Sequence, residues 1–157
     1  MIGKNAEIGK DFHMQSVCIT KSAQETEQLA ASFAKTLRAG DVVALYGGLG
    51  MGKTTFVRGL AQGLHSTSEV SSPTFALVHE YEADVPIAHF DMYRIRSMED
   101  LYSTGFFDYL DSGAILVVEW TEHIAQYLPP RVHAVHIGRG EAENERRLVI
   151  EYADTGD

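Results

Sequence analysis

An apolar run, Val42-Val43-Ala44-Leu45-Tyr46, leads straight into Gly47-Gly48-Leu49-Gly50-Met51-Gly52-Lys53-Thr54, and helical patterning follows. This is G-x-x-x-x-G-K-[ST] in the strand–loop–helix setting that gives the pattern meaning. No other stretch constrains the fold as tightly, because a buried strand, a tight loop and a helix start must be contiguous. Four glycines fall within Gly47–Gly52. They let the backbone turn sharply and bring successive N–H groups toward phosphate oxygens. The following helix adds its partial positive N-terminus. Lys53 is placed to reach the β- and γ-phosphates, and the Thr54 hydroxyl to ligate Mg²⁺. Gly47 to Thr55 therefore reads as the binding loop for a nucleoside triphosphate.

With 157 residues, 45% of them hydrophobic and 22% charged, the chain is sized and composed for one soluble domain. No apolar run approaches the roughly 20 residues of a membrane span. The N-terminus has no apolar h-region. The lone Cys18 excludes an internal disulfide and reads as a small buried hydrophobe in a reducing cytoplasm. A formal net charge of −9 argues against a direct grip on nucleic acid, so DNA is not expected and any RNA link runs through a partner. The seven histidines lack metal spacing; His133 and His136, three apart in a strand, should face opposite sides.

In order along the chain, residues 1–15 read as a loose leader and 16–157 as a single domain. Ser16–Thr20 is a short β-branched strand. Ser22 and Glu25 form a capping box for an amphipathic helix carrying Leu29, Phe33 and Leu37, with Gly40 as its C-cap. After the loop, a helix runs to about Leu64. Phe75–Tyr81 and Ile87–Phe90 read as a hairpin. A helical turn is expected at Ser97–Leu101. Ala114–Val118 is a centrally buried strand, Thr121–Leu128 a short helix, and Val132–Ile137 with Arg147–Tyr152 a final strand pair. The sum is an α/β, three-layer P-loop NTPase-like fold: a mixed sheet with parallel core strands, the loop strand beside 114–118, and antiparallel hairpins at the edges.

Hydrolysis requires more than a loop. Glu119 emerges directly after the buried run Ala114–Val118, where a carboxylate left unpaired is costly; a Mg²⁺-linked role fits, the alternative being a carboxylate that simply leaves the sheet at a strand end. Asp91 ends the run Ile87–Phe90; it contacts Mg²⁺ through water or orients the attacking water, or else pairs with Arg94. Ser72, Pro73 and Thr74 read as a switch-like segment that senses the γ-phosphate, or as a simple loop before a strand. Trp120 either packs over the site or belongs to the core or an interface.

Taken in order, GGLGMGKTTFVRGL (Gly47–Leu60), SSPTFALVHEY (Ser71–Tyr81), HFDMYR (His89–Arg94), GFFDY (Gly105–Tyr109) and LVVEW (Leu116–Trp120) resemble the bacterial TsaE family, formerly YjeE. The resemblance covers about residues 22–152. It implies a cytoplasmic, weak Mg²⁺-dependent ATPase that works with TsaD and TsaB. Those proteins make threonylcarbamoyladenosine next to the anticodon of tRNA, and the TsaE component does not itself transfer the group. It implies Mg²⁺-linked roles for Thr54 and Glu119 and a catalytic role for Asp91 beside Lys53. It also implies nucleotide-framing positions at Thr26 and at Arg146, one of an Arg146-Arg147 pair. The family loop usually reads GDLGAGKT, so Gly48 and Met51 are departures. Two other readings compete: a small-molecule kinase clamping phosphate with Arg94 and Arg96, and a non-catalytic nucleotide switch that docks a partner.

Overall fold

The computed structural model describes residues 2–6, 12–48, 50–71 and 78–153. Leu49, the Ser72-Pro73-Thr74 segment and the start of the first hairpin strand at Phe75 lie outside the described residues. Among those described, eight strands form one sheet: β1 (Ile2–Ala6), β2 (Phe12–Thr20), β3 (Val42–Tyr46), β4 (Val78–Tyr81), β5 (Ile87–Asp91), β6 (Ile115–Glu119), β7 (His133–Arg139) and β8 (Arg146–Glu151). Their spatial order is β1-β2-β8-β7-β3-β6-β5-β4. β3 lies between parallel β6 and β7, and β5 runs parallel to β6. The β4–β5 hairpin closes one edge, while β7–β8, β2 and β1 continue antiparallel to the other. The expected mixed sheet is the observed one, with the loop strand directly beside β6.

Burial explains the arrangement. Every residue of β5 and β6 is buried, as is β3 up to Tyr46, matching their near-continuous apolar sequence. β7 and β8 alternate between buried and more open positions because only one of their faces is covered. On that face, α1 (Ala23–Ala34) and α2 (Lys53–Gly63) bring Phe33, Phe56 and Leu60 onto Val43, Leu45, Val117 and Ile137. On the other face, α3 (Met98–Ser103) and α4 (Phe106–Leu110) bring Leu101 and Phe106 onto Phe90, Leu116 and Val118. These are the three layers.

α1 and α2 touch backbone to backbone. A Cβ built on Gly59 would lie 2.6 Å from Glu27 Cα, and one on Gly63 would lie 2.6 Å from the Ala31 carbonyl oxygen. Glycine at both positions, one helical turn apart, is what permits the close approach.

Four expectations are corrected. Ile2–Ala6 and Phe12–Gln15, expected as loose leader, are strand. They extend antiparallel pairing from the open edge of β8, and backbone pairing at an edge needs no apolar periodicity. Gly40 is not the cap of α1, which ends at Ala34 with Lys35 as its C-cap. Gly40 takes φ +88° in the turn before β3, its N–H donating to the Gly113 carbonyl at 3.0 Å. Thr121–Leu128 is two 3₁₀ turns, Thr121–His123 and Ala125–Tyr127, separated by Ile124 at φ −130°. Cys18 is half-buried rather than core. The Ser22 cap is present, its hydroxyl accepting from Glu25 N–H at 3.1 Å.

His133 and His136 do face opposite ways: His133 is buried, whereas His136 is exposed and stacks on Tyr46. His133 Nδ1 accepts the Ala153 N–H at 3.0 Å, and Nε2 donates to Asp41 at 3.1 Å. Burial pushes the pKa of His133 below 6.5; the Asp41 carboxylate opposes this and Arg131 and Arg38 add to it. The folded value is therefore lower than the unfolded one. As pH falls from about 6.5 toward the depressed value, only the unfolded chain takes up the proton, and stability is lost across that window. Denaturant titrations from pH 7.5 to 5 should show this loss for the native protein and a smaller one for His133→Asn.

Candidate functional site

β3 delivers the chain to Gly47 at the carboxyl edge of the sheet. Gly47, Gly50 and Gly52 take φ of +153°, +76° and +106°, and a Cβ on Gly47 would lie 2.7 Å from the Ile137 carbonyl oxygen. A side chain at 47 has no room. α2 begins at Lys53, and its N-cap, Gly52, contributes no side-chain hydrogen bond. The first N–H groups of a helix have no intrahelical partners, so this end is open to an anion. Gly48 is exposed, and a Cβ there meets nothing within 4 Å, so the departure from the family's Asp changes no packing.

Lys53 is 7% exposed. Its Nζ donates to the Gly47 carbonyl at 2.9 Å, lies 3.9 Å from Glu119 Oε1 and sits 4.8 Å from the centre of the Trp120 ring. Glu119, 5% exposed, ends β6 in register with Leu45 of β3 on one side and Asp91 of β5 on the other. Registered neighbours point to the same face, here the face that carries α2. Both carboxylates thus reach the side of the sheet where the loop opens. Asp91 Oδ1 accepts the N–H of Tyr93 at 2.9 Å rather than pairing with the exposed Arg94. Thr54, next to Lys53 in the first turn of α2, is half-buried.

Trp120 adopts φ +58° and ψ +46°, a left-handed conformation that costs a bulky residue about 1–3 kcal/mol. That backbone turns the indole toward Lys53, where a cation–π contact forms and Tyr93 packs edge-on at 4.8 Å. The strain lies at the site itself.

Arg146 resolves the arginine pair. Its Nε donates to the Met51 carbonyl at 3.0 Å, and it lines a depression of about 120 Å³ with Ser22, Thr26, Gly52, Thr55 and Asn144. Arg147 lies on the other side of β8, near Tyr46 and His136. Thr26 is buried in the depression's wall, its hydroxyl 2.6 Å from that of Thr20.

Two residues at the site carried no role in the sequence reading. His89 is fully buried, with Nε2 2.5 Å from Glu119 Oε2 and Nδ1 3.1 Å from the Tyr81 hydroxyl. Tyr81 in turn donates to the Ser71 carbonyl at 3.0 Å. The available signal was period two: His89 precedes Asp91 by two residues and shares its face. Burial raises the Tyr81 pKa above 10.

Among the described residues, no group of three or more His, Cys, Asp or Glu is arranged to hold a metal ion. No helix among them is long and apolar enough to cross a membrane.

Comparison with known proteins follows the same lines. The family signature of "Threonylcarbamoyl adenosine biosynthesis protein TsaE" matches residues 20–149. The tRNA threonylcarbamoyladenosine biosynthesis protein TsaE of Treponema pallidum is 35% identical over 133 residues, covering 85% of this chain and 98% of that protein. Its Bacillus subtilis counterpart is 40% identical over 133 residues, 83% of this chain and 82% of the relative. The crystal structure of Bacillus subtilis YdiB superposes with a TM-score of 0.77 at 30% identity, covering 92% of this chain and 90% of that one.

Proposed function

The chain belongs to the TsaE family of tRNA threonylcarbamoyladenosine biosynthesis proteins, and on that premise we propose that it binds and hydrolyses ATP with Mg²⁺. The hydrolysis supports turnover of TsaD-like and TsaB-like partners, which carry the modification of tRNA. With a net charge of −9, the chain meets tRNA through those partners. The observation that carries the reading is the meeting of Lys53 with Glu119, 3.9 Å apart, beside a helix N-terminus that no side chain caps.

The residues fit Mg²⁺. Two buried carboxylates, Asp91 and Glu119, are register partners at adjacent strand ends, Glu119 meets the Lys53 ammonium, and Thr54 follows Lys53 in the first turn of α2, a hard-oxygen set with negative charge to spare. Magnesium asks for few protein ligands because phosphates and water complete its shell, consistent with the lack of a closed metal cage among the described residues. Thr54 and Glu119 would hold the ion, Asp91 through water. Bound there, it would neutralise charge developing on the phosphates. The N–H groups of Gly47–Thr55 cradle the phosphates, and Lys53 supplies the cation at their outer end. Asp91 orients the attacking water. Trp120, with Tyr93 packed edge-on against it, covers Lys53 and limits its contact with solvent. Ser22, Thr26 and Arg146 frame the nucleotide at the other side of the loop.

The geometry disfavours a kinase. Beyond the exposed Arg94 and Arg96, the arginine between β6 and β7 is Arg131, whose Nε donates to Asp41 at 3.3 Å. Asp41 precedes β3, so five strand residues, roughly 16 Å, separate it from the loop.

The test is ATP turnover with purified protein and Mg²⁺, compared with Asp91→Ala and Glu119→Ala. Both variants should bind ATP and lose on the order of 10²-fold or more in kcat. A Glu119→Ala protein that binds ATP, hydrolyses none and still supports the tRNA modification would establish the switch reading instead. Retention of TsaB-like and TsaD-like proteins that differs between ATP and ADP is the expected partner result.

A further inference from the structure

The Tyr81 hydroxyl donates to the Ser71 carbonyl at 3.0 Å, and its oxygen lies 3.1 Å from His89 Nδ1 and 3.5 Å from His79 Nδ1. On the far side of the imidazole, Nε2 meets Glu119 Oε2 at 2.5 Å, while the other oxygen of Glu119 faces Lys53. Ser71, Tyr81, His89, Glu119, Lys53 and the Gly47 carbonyl thus form one polar chain that ends at the phosphate loop. His89 is 0% exposed and Tyr81 3%, so neither can exchange its partner for water. A buried imidazole is held in orientation by a partner at each ring nitrogen, here Tyr81 at Nδ1 and Glu119 at Nε2.

We infer that His89 is a positioning residue for Glu119, and that Tyr81 steadies the His89 ring at Nδ1 while its hydroxyl is tied to the Ser71 carbonyl. The inference rests on the reading of the site as a Mg²⁺-dependent ATPase. The four-residue hairpin strand β4 thus links Ser71, in the chain after α2, to the carboxylate beside Lys53. The register supports this: His89 pairs with Val117, two residues before Glu119, while Tyr81 pairs with Ile87, two before His89. The relay steps diagonally across three adjacent strands on one face.

The test uses the full chain, with His89→Leu, His89→Gln, Tyr81→Phe and the double variant Tyr81→Phe/His89→Leu. Two quantities are read: kcat and KM for ATP, and the midpoint of a Mn²⁺ titration with a non-hydrolysable ATP analogue, followed by the fluorescence of the sole tryptophan, Trp120. His89→Leu should lower kcat and weaken the Mn²⁺ midpoint by about 10-fold or more each, with KM little changed. His89→Gln, whose amide keeps a donor toward Glu119, should stay within a few-fold of the native protein. Tyr81→Phe should move both quantities in the same direction by less. The double variant should match His89→Leu alone, because the hydroxyl has no path to Glu119 without the imidazole. Equal losses in the Leu and Gln variants, multiplying effects in the double variant, or an unmoved Mn²⁺ midpoint would overturn the inference. If His89→Leu does not fold, the Gln and Phe variants still carry the midpoint test. Absence of hydrolysis by the native protein would reject the ATPase reading, and the Mn²⁺ midpoints would still decide the relay.

Discussion

Lys53→Ala should raise the Kd for ATP roughly 10²-fold or more, about 3 kcal/mol, while the protein stays folded. Among the described residues the lysine is the cation that meets Gly47, Glu119 and Trp120, and it is 7% exposed. Two buried carboxylates, Glu119 and Asp91, already lie on that face. A triphosphate adds several negative charges where water is largely excluded, so attraction and repulsion are both stronger than on the surface. Removing the ammonium takes away the attraction and leaves the repulsion. The partial charge of the α2 N-terminus, worth about 0.3–1 kcal/mol, does not offset that loss. Calorimetric titration with ATP, alongside a melting curve to confirm the fold, measures the effect. An unchanged Kd would remove Lys53 from the site.

Gly59→Ala should destabilise the protein by about 2–3 kcal/mol, against the usual sign of the substitution. In an open helix interior, alanine gains about 1 kcal/mol over glycine. At position 59 the new methyl would lie 2.6 Å from Glu27 Cα, inside the backbone of α1. No rotamer relieves a clash at Cβ, so α1 must shift as a body and loosen Phe33 against Phe56, whose rings are 5.8 Å apart. For a chain of this length the melting temperature should fall by about 4–10 °C. Gly40→Ala meets no neighbour within 4 Å and is a useful contrast, since its strain is confined to its own φ of +88°. A melting temperature at or above the native value for Gly59→Ala would mean that the helices are not locked at this point.

What could be read from sequence and what could not divide along physical lines. β3, β5 and β6 are buried on both faces, so their apolar runs were visible as strands, and their neighbourhood followed from the loop. Glu119 was conspicuous because a charge ends five buried residues. His89 was not, because a histidine inside an apolar strand does not reveal that Tyr81 and Glu119 lie on either side of it in adjacent strands. That information is in the register, which depends on contacts distant in sequence. The strands before Ser16 were missed for a related reason: edge pairing uses backbone groups that every residue carries. The 3₁₀ turns after Trp120 stand where a helix was expected: the left-handed Trp120 enters them, Ile124 at φ −130° interrupts them, and the Thr121 hydroxyl donates back to the Val118 carbonyl. Strain of that kind has no signature in composition.

The glycine contacts between α1 and α2 have a consequence for nucleotide response. α1 carries Thr26 just after the Ser22 cap, while α2 follows directly on the glycine-rich turn, so two walls of the same depression belong to one rigid pair. That pair is a fixed seat: triphosphate and diphosphate would meet the same frame at the Arg146 side. Discrimination between them falls to the opposite bank, where Asp91, Glu119 and the strained Trp120 stand at strand ends. A partner that distinguishes the two nucleotides is therefore expected to read the β5–β6 bank, and substitutions on the outer surface of α1 should leave that reading untouched.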